Sequence, residues 1–557
     1  MKKSSLIGIT SLFIFLFLFS SCEEILEEEI SVVSATESTS WNYEETAPVA
    51  EISPTTREVR LEGLKAGQKL YLAKINPTSD VFEKDLVRYV DTVTGVELTT
   101  TKRDSGSARS ALAIEESSLG EDSDLPEIVD VVVEPEFDNS RAAVAATPLE
   151  ASERAELKVG AKTQLYISHG TKSGNLSSFY KEDATLYAVG EHCNVWIVDK
   201  YYGSSNTGIK VNKSRAENFA DKFDREEQNI YESVRDVFGE ESDRIFISKS
   251  ELGDMETYSR FGKKVNIVIY DIGNDSANGG IVGYFSTKDY YLDGVTKYSN
   301  SGKFLYIDSW YTNGGKYGEY EELALSTLAH EFQHLIHFGM KKIRHNLSSA
   351  TWYNEMLSML AEDYVHKKLI IDDGGNLRRR LERFVKTYFE VGLEYRNDKV
   401  RESYASAYAF GAWLVREYGG EELLRELSHN AAVNLDSVVQ AVAVVGGKEI
   451  SIGSLLGEYT QACVFNKELV YDYPTFDQDA GLLSKIDLWT FYNGRTNYEG
   501  PPDSVWGPIL YGYNDQYELR PYGINLVEIG TVDSPGGVLI RFNETGAANQ
   551  KLYVFVQ

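Results

Sequence analysis

The sequence predicts an α+β fold: a mixed sheet-and-helix segment, then a helical segment, with small β-rich units at both ends. Three observations carry that prediction. VWIVDK (195–200), VNIVIYD (265–271) and FLYIDSW (304–310) are apolar runs bounded by turn residues, the pattern of buried strands. From 320 to about 470 apolar residues recur at helical spacing. The text before and after returns to short alternating stretches broken by glycine, as in TREVRLEGLKAGQKLYLAKI (56–75) and in INLVEIG, GVLIRF and KLYVFV after residue 500.

The chain has 557 residues, enough for two to four domains, with 42% hydrophobic and 25% charged residues, ordinary globular values. A net charge of −29 argues against nucleic-acid binding, which needs a basic footprint. Residues 1–22, MKKSSLIGITSLFIFLFLFSSC, have the order of a targeting segment. Lys2 and Lys3 are its basic start, Leu12–Phe19 its apolar core, and Ser20-Ser21 precede Cys22. That order resembles a bacterial lipoprotein signal, which implies lipidation of Cys22 and an exported chain anchored to the cell envelope, at the outer membrane or cell surface. The apolar core is shorter than the roughly 20 residues that span a bilayer. Cys193 and Cys463 are too few and too far apart for a disulfide framework and are expected to be buried thiols.

After the signal, residues 23–45 read as an acidic tether. A β-rich N-terminal domain is expected over 46–175, with a Ser-, Ala- and acid-rich insertion at about 101–150. LKVGAKTQLY in this region weakly echoes LKAGQKLY. The central domain is expected over 176–480 and a C-terminal β-rich unit over 481–557. KSRAENFADKFDREEQNIYESVRDVF (213–238) has a helical pattern between the first two central strands. DIGNDSANGG (271–280) is read as a turn, because it lacks the closing glutamate of a calcium loop.

Within the helical segment stands TLAHEFQHLIHF (327–338). With eight histidines in the chain, a chance HExxH is expected on the order of once per hundred such sequences. Leu325, Leu328, Ala329, Phe332, Leu335 and Ile336 form a core-facing stripe. His330 and His334 lie within about 40° of each other on the opposite face, so both can reach one ion. Catalytic zinc takes three protein ligands and keeps a position open for water. His337 is in phase but about 10.5 Å along the axis from His330, beyond a shared ion, and is expected behind the ligands or at the surface. The metzincin pattern HExxHxxGxxH is excluded, since His337 and Met340 occupy its glycine and last histidine positions. The next helix, TWYNEMLSMLAEDY (351–364), packs by Leu357, Leu360 and Tyr364, with Glu355 and Glu362 opposite.

HEFQH followed by Trp352-x-Asn354-Glu355-x-x-Ser358-x-x-x-Glu362 resembles the gluzincin zinc peptidases, whose third ligand is the glutamate of an Asn-Glu pair on the following helix. KVNIVIYDI, GGIVGYF and FLYIDSW look like the hyicolysin-type branch of bacterial neutral metallopeptidases, over about 190–420. The resemblance implies a zincin-like peptidase domain holding one Zn²⁺ per chain, and an enzyme of the metalloendopeptidase class acting on proteins or peptides. It implies His330, His334 and Glu355 as ligands, Glu331 as general base, and Glu362 as the group orienting a ligand. Tyr408-x-x-Gly411 is similar to a segment of aminopeptidase-like gluzincins, which implies Tyr408 as oxyanion donor. Met356 departs from the family's usual glycine after the ligand glutamate, which bears on the cleft floor. The alternative is a surface lipoprotein using a peptidase-like fold as a binding module. Loss of Glu331 or of a ligand would be its simplest signature, and all four residues are present.

Overall fold

The computed structural model describes residues 33–35, 38–42, 49–82, 90–98, 156–172, 175–246, 255–256, 261–275, 280–314, 321–371, 376–465, 511–512, 518–542 and 549–556. Residues 1–22, most of the acidic tether and the 101–150 insertion lie outside them.

The central sheet has six strands: β1 (Lys162–Lys172), β2 (Asn175–Val189), β3 (Cys193–Val198), β4 (Val265–Tyr270), β5 (Gly283–Phe285) and β6 (Phe304–Asp308). Their order across the sheet is β5-β6-β4-β3-β2-β1. β3, β4 and β6 run parallel, while β5 and the β1–β2 hairpin are antiparallel to their neighbours. The three apolar runs are the three parallel strands. They are buried along their whole length because both faces of the sheet are covered, which is why they read as continuous rather than alternating.

The stretch 213–238, expected to be helical, forms two helices, α1 (Lys213–Ala220) and α2 (Ile230–Phe238), joined by a π turn and a break. Asn212 and Asn229 mark the two starts, each side chain accepting a bond from a backbone N–H in the first turn. The helical segment follows as α3 (Glu321–His337), α4 (Thr351–Leu369), α5 (Asn376–Thr387), α6 (Val400–Tyr418), α7 (Glu421–His429), α8 (Asn434–Val445) and α9 (Ile452–Phe465). Phe332 of α3 packs between Phe223 and Tyr231, which ties α3 to the helices over the sheet.

The strands of the two chain ends do not form separate units. Lys551–Val556 pairs with Val49–Ile52 on one side and Lys69–Ile75 on the other, and Lys69–Ile75 also pairs with Ile524–Val532. A second sheet joins Glu58–Leu64 to Gly536–Phe542. The two sheets enclose a core that includes Leu61, Leu70, Leu72, Ile540 and Val554. Alternate residues Tyr71, Ala73 and Ile75 turn the other way, into the core of the helical domain, where α9 lies against these strands. β1 belongs to the central sheet, although its text stands at the end of the expected N-terminal unit. Cys193 and Cys463 are buried and are not joined in a disulfide. Among the described residues no helix is long and apolar enough to cross a membrane.

Candidate metal centre

α3 enters the core just after β6 and is buried from Leu323 to His337 on every face. The apolar stripe faces the sheet and α2 as expected. The histidine face is covered as well, because α4 lies along it. On α4 the acids opposite the apolar residues are buried as well, Glu355 at 1% and Glu362 at 0% exposure. The two polar helix faces pack against each other. Hydrogen bonds across the interface join His330 to Glu362, His334 to Asn354 and Ser358, and Ser358 to Gln333, which offsets part of the cost of burying these groups.

His330 Nε2 and His334 Nε2 lie 3.0 Å apart. Glu355 Oε2 is 3.5 Å from the first and Oε1 is 3.7 Å from the second. One donor atom from each residue falls within 4.8 Å of the others, a group able to hold a metal ion.

The far sides of both imidazoles are engaged. His330 Nδ1 is 2.5 Å from Glu362 Oε1. A carboxylate accepts only, so the N–H sits on Nδ1 and the Nε2 lone pair points to the cluster. His334 Nδ1 is 2.9 Å from Ser358 Oγ and 3.1 Å from Asn354 Oδ1. Ser358 donates its own proton to Gln333 Oε1 at 2.5 Å, which leaves Oγ as an acceptor and sets His334 in the same tautomer. Two lone pairs and a carboxylate thus converge, an arrangement that repels itself without a cation between them.

Burial raises the Glu362 carboxyl, but Arg380 and the bond with His330 outweigh it and hold the group below its usual range. Arg380 Nη1 and Nη2 donate to Glu362 Oε2 and Oε1 at 2.9 and 3.1 Å. Glu331 is fully buried on α3 beside His330.

His337 is neither at the surface nor in the cluster. Its Nε2 meets Ser349 Oγ at 2.8 Å, and burial, then Lys341 and His334, lower its pKa to about 3. Tyr408 is placed differently from the oxyanion expectation. Its hydroxyl is buried and donates to Asp363 Oδ2 at 3.2 Å, beside the Arg416 guanidinium that bonds both Asp363 oxygens. The helical phase of α6 turns Tyr408 into the interface with α4. Met356 leaves the cleft too: it is fully buried, and a Cβ built on Gly411 of α6 would lie 2.5 Å from its Cγ.

Sequence reasoning quoted Asn354 and Ser358 as part of the motif without giving them a role, and missed Gln333 and Arg380. On α4 Ser358 is three residues after Glu355 and four after Asn354, a spacing that makes it a neighbour of both, so helical phase could have suggested their roles. Arg380 gave no signal, being one of three consecutive arginines in NLRRRLERFVKT.

Comparison with known proteins decides the ancestry of this centre. The family model described as Peptidase M30 matches residues 179–494, more than half of the chain. The chain belongs to the peptidase M30 family. The neutral metalloprotease ShpI of Staphylococcus hyicus is 25% identical to it over 286 residues, 50% of this chain and 58% of that protein. The chain thus spans little more than half the length of that relative. The M30 match contains both helices of the metal centre and the parallel strands that position them. The hyicolysin-type resemblance is borne out.

Proposed function

We propose that this M30 chain is an exported, zinc-dependent endopeptidase that hydrolyses proteins or peptides, anchored to the cell envelope through Cys22. The observation that carries the catalytic part is the convergence of His330, His334 and Glu355, with both imidazoles held in the metal-ready tautomer from behind. Tetrahedral zinc with bonds of about 2.0–2.1 Å sets its ligand atoms roughly 3.3–3.4 Å apart. The distances of 3.0, 3.5 and 3.7 Å straddle that value, which supports zinc as the ion. The all-helical scaffold, with two imidazoles and one carboxylate, supplies three protein ligands and leaves a position for water, as catalytic zinc sites do.

Bound there, zinc supplies Lewis-acid activation of water and of the scissile carbonyl. The protein's own groups do the rest. Glu331 removes the proton from the attacking water and returns it to the leaving amine. Glu362 and Ser358 hold the imidazole planes, and the packed helix pair keeps bulk water away from the ligands. Tyr408 is not assigned a part, since its hydroxyl serves Asp363. The anchor rests on the lipoprotein-like order of residues 1–22. Mass spectrometry of the mature N-terminus tests it, and an unmodified terminus elsewhere would refute it.

The decisive experiment compares metal content with peptide turnover in wild type, Glu331→Gln and His334→Ala. Glu331→Gln should retain about one zinc per chain and lose at least about 10²–10⁴ in rate. His334→Ala should lose both metal and turnover. Wild type that binds zinc but cleaves nothing across a broad peptide library would favour the binding module instead.

A further inference from the structure

Two consecutive acids on α4, Glu362 and Asp363, each meet a buried arginine from a later helix, and the two pairs serve different ends. Asp363 binds Arg416 of α6 and the Tyr408 hydroxyl, all of them helix-packing residues. Glu362 binds Arg380 of α5 and His330, a residue of the metal cluster.

A single contact from His330 Nδ1 to one carboxylate oxygen leaves the Glu362 carboxylate free to rotate about its last bond. Imidazole orientation would follow that rotation. Arg380 removes the freedom. Its two guanidinium nitrogens take the two oxygens separately, a fork that fixes the carboxylate plane in a way one point charge cannot. Oε1 is then shared between Arg380 and His330. The arginine is itself held: it is 7% exposed, on a helix whose Leu377, Leu381 and Phe384 are buried in the core. At the end of α5, Tyr388 accepts a bond from Leu526 N, so the helix is also tied to the terminal strands.

We propose that Arg380 is a positioning residue of the metal centre, acting through Glu362 to fix the His330 imidazole, so that its removal weakens metal binding although it touches neither ion nor ligand. The proposal rests on the zinc reading above. Partners behind a ligand are worth about 10–100-fold in metal affinity, and Arg380 acts at one further remove, through the same carboxylate.

The test is zinc affinity of the full chain, measured by competition with a chromophoric chelator, with no turnover assay involved. Arg380→Met should weaken binding by about tenfold or more. Arg380→Lys, keeping the charge but not the fork, should recover only part. In a Glu362→Gln background the Arg380→Met effect should shrink to within about twofold, because the path through the carboxylate is already cut. Arg416→Met removes an equally buried ion pair one residue along α4 and should destabilise the fold while leaving zinc affinity within about twofold. If Arg380→Met does not fold, Arg380→Lys carries the test, with a several-fold loss expected and no loss overturning the idea. Unchanged affinity in Arg380→Met, an undiminished effect in the Glu362→Gln background, or an equal loss in Arg416→Met would each overturn it. Wild type that takes up no zinc would overturn the metal reading itself, and this proposal with it.

Discussion

The contact between α4 and α6 at Gly411 can be probed by adding one methyl group. A Cβ at Gly411 would stand 2.5 Å from Met356 Cγ, 3.1 Å from Met356 Sδ and 3.1 Å from Leu360 Cδ1. Carbon atoms rest at about 3.5–4.0 Å, so the first contact is about 1 Å too short. Cγ is close to the backbone, and rotation of the outer methionine cannot relieve it. α4 must shift, or Met356 must leave its rotamer. Overpacking of this kind costs about 1–3 kcal/mol, and the better helix propensity of alanine returns about 1 kcal/mol. The net loss for Gly411→Ala should be about 1 kcal/mol, small enough that the single variant is a weak test. The sharper quantity is the coupling with Met356→Ala. Alone, that truncation opens a cavity and should cost about 2–5 kcal/mol. Combined with Gly411→Ala, the new methyl enters the vacated space, so the double variant should be more stable than the sum predicts by 1 kcal/mol or more. Urea unfolding of metal-free protein gives all four corners of the cycle. Additive effects would refute the close packing of α6 on Met356. Zinc affinity measured alongside shows how far a displaced α4 disturbs Glu355, one residue before the contact.

Two further outcomes follow from the same region. His337 has a folded pKa of about 3 against about 6.5 unfolded, so between those values the unfolded chain takes up a proton that the fold refuses. Stability should therefore fall as pH drops from 6.5 towards 3, by on the order of 4–5 kcal/mol in full. His337→Gln in metal-free protein should flatten that part of the stability–pH curve, and an unchanged slope would exclude His337 as its source. Chelation of the wild type should lower its thermal midpoint, since zinc at 100–1,000 times its dissociation constant adds about 3–4 kcal/mol. A midpoint indifferent to both zinc and chelator would count against the centre.

The metal cluster was legible because its residues come from two short stretches with helical phase. His330 and His334 share a face at i and i+4, and the Asn354-Glu355 pair followed one helix later. Exposure was not legible. Phase puts Glu355 and Glu362 opposite the apolar residues of α4, and a polar helix face is ordinarily solvated. Nothing local to 351–364 says that another polar face will be laid against it. Tyr408 went astray for a related reason. A short tyrosine-to-glycine pattern fixes spacing but not which neighbour the face meets, and here that neighbour is Asp363. Arg380 is the extreme case, a side chain whose role depends on a partner 18 residues away on another helix. The strands of the two chain ends were readable one by one as alternating text. Their mutual pairing was not, because it links segments separated by most of the chain.

Lys551–Val556 lies inside its sheet, between Val49–Ile52 and Lys69–Ile75, and this has a consequence for the order of assembly. The seat between those two early strands is filled by a segment that follows the whole M30 match along the chain. A ribosome or an export channel delivering the chain from its start releases the whole M30 domain before that seat can be taken. Closing a loop of this length costs little more than closing one half as long, about 0.6 kcal/mol per doubling. Time is the larger burden, because pairing between such distant segments is slow. Until it happens, the early strands show unpaired backbone and an uncovered apolar face, a state open to wrong partners. Shortening the chain by only the last of these strands should then do more harm than its size implies.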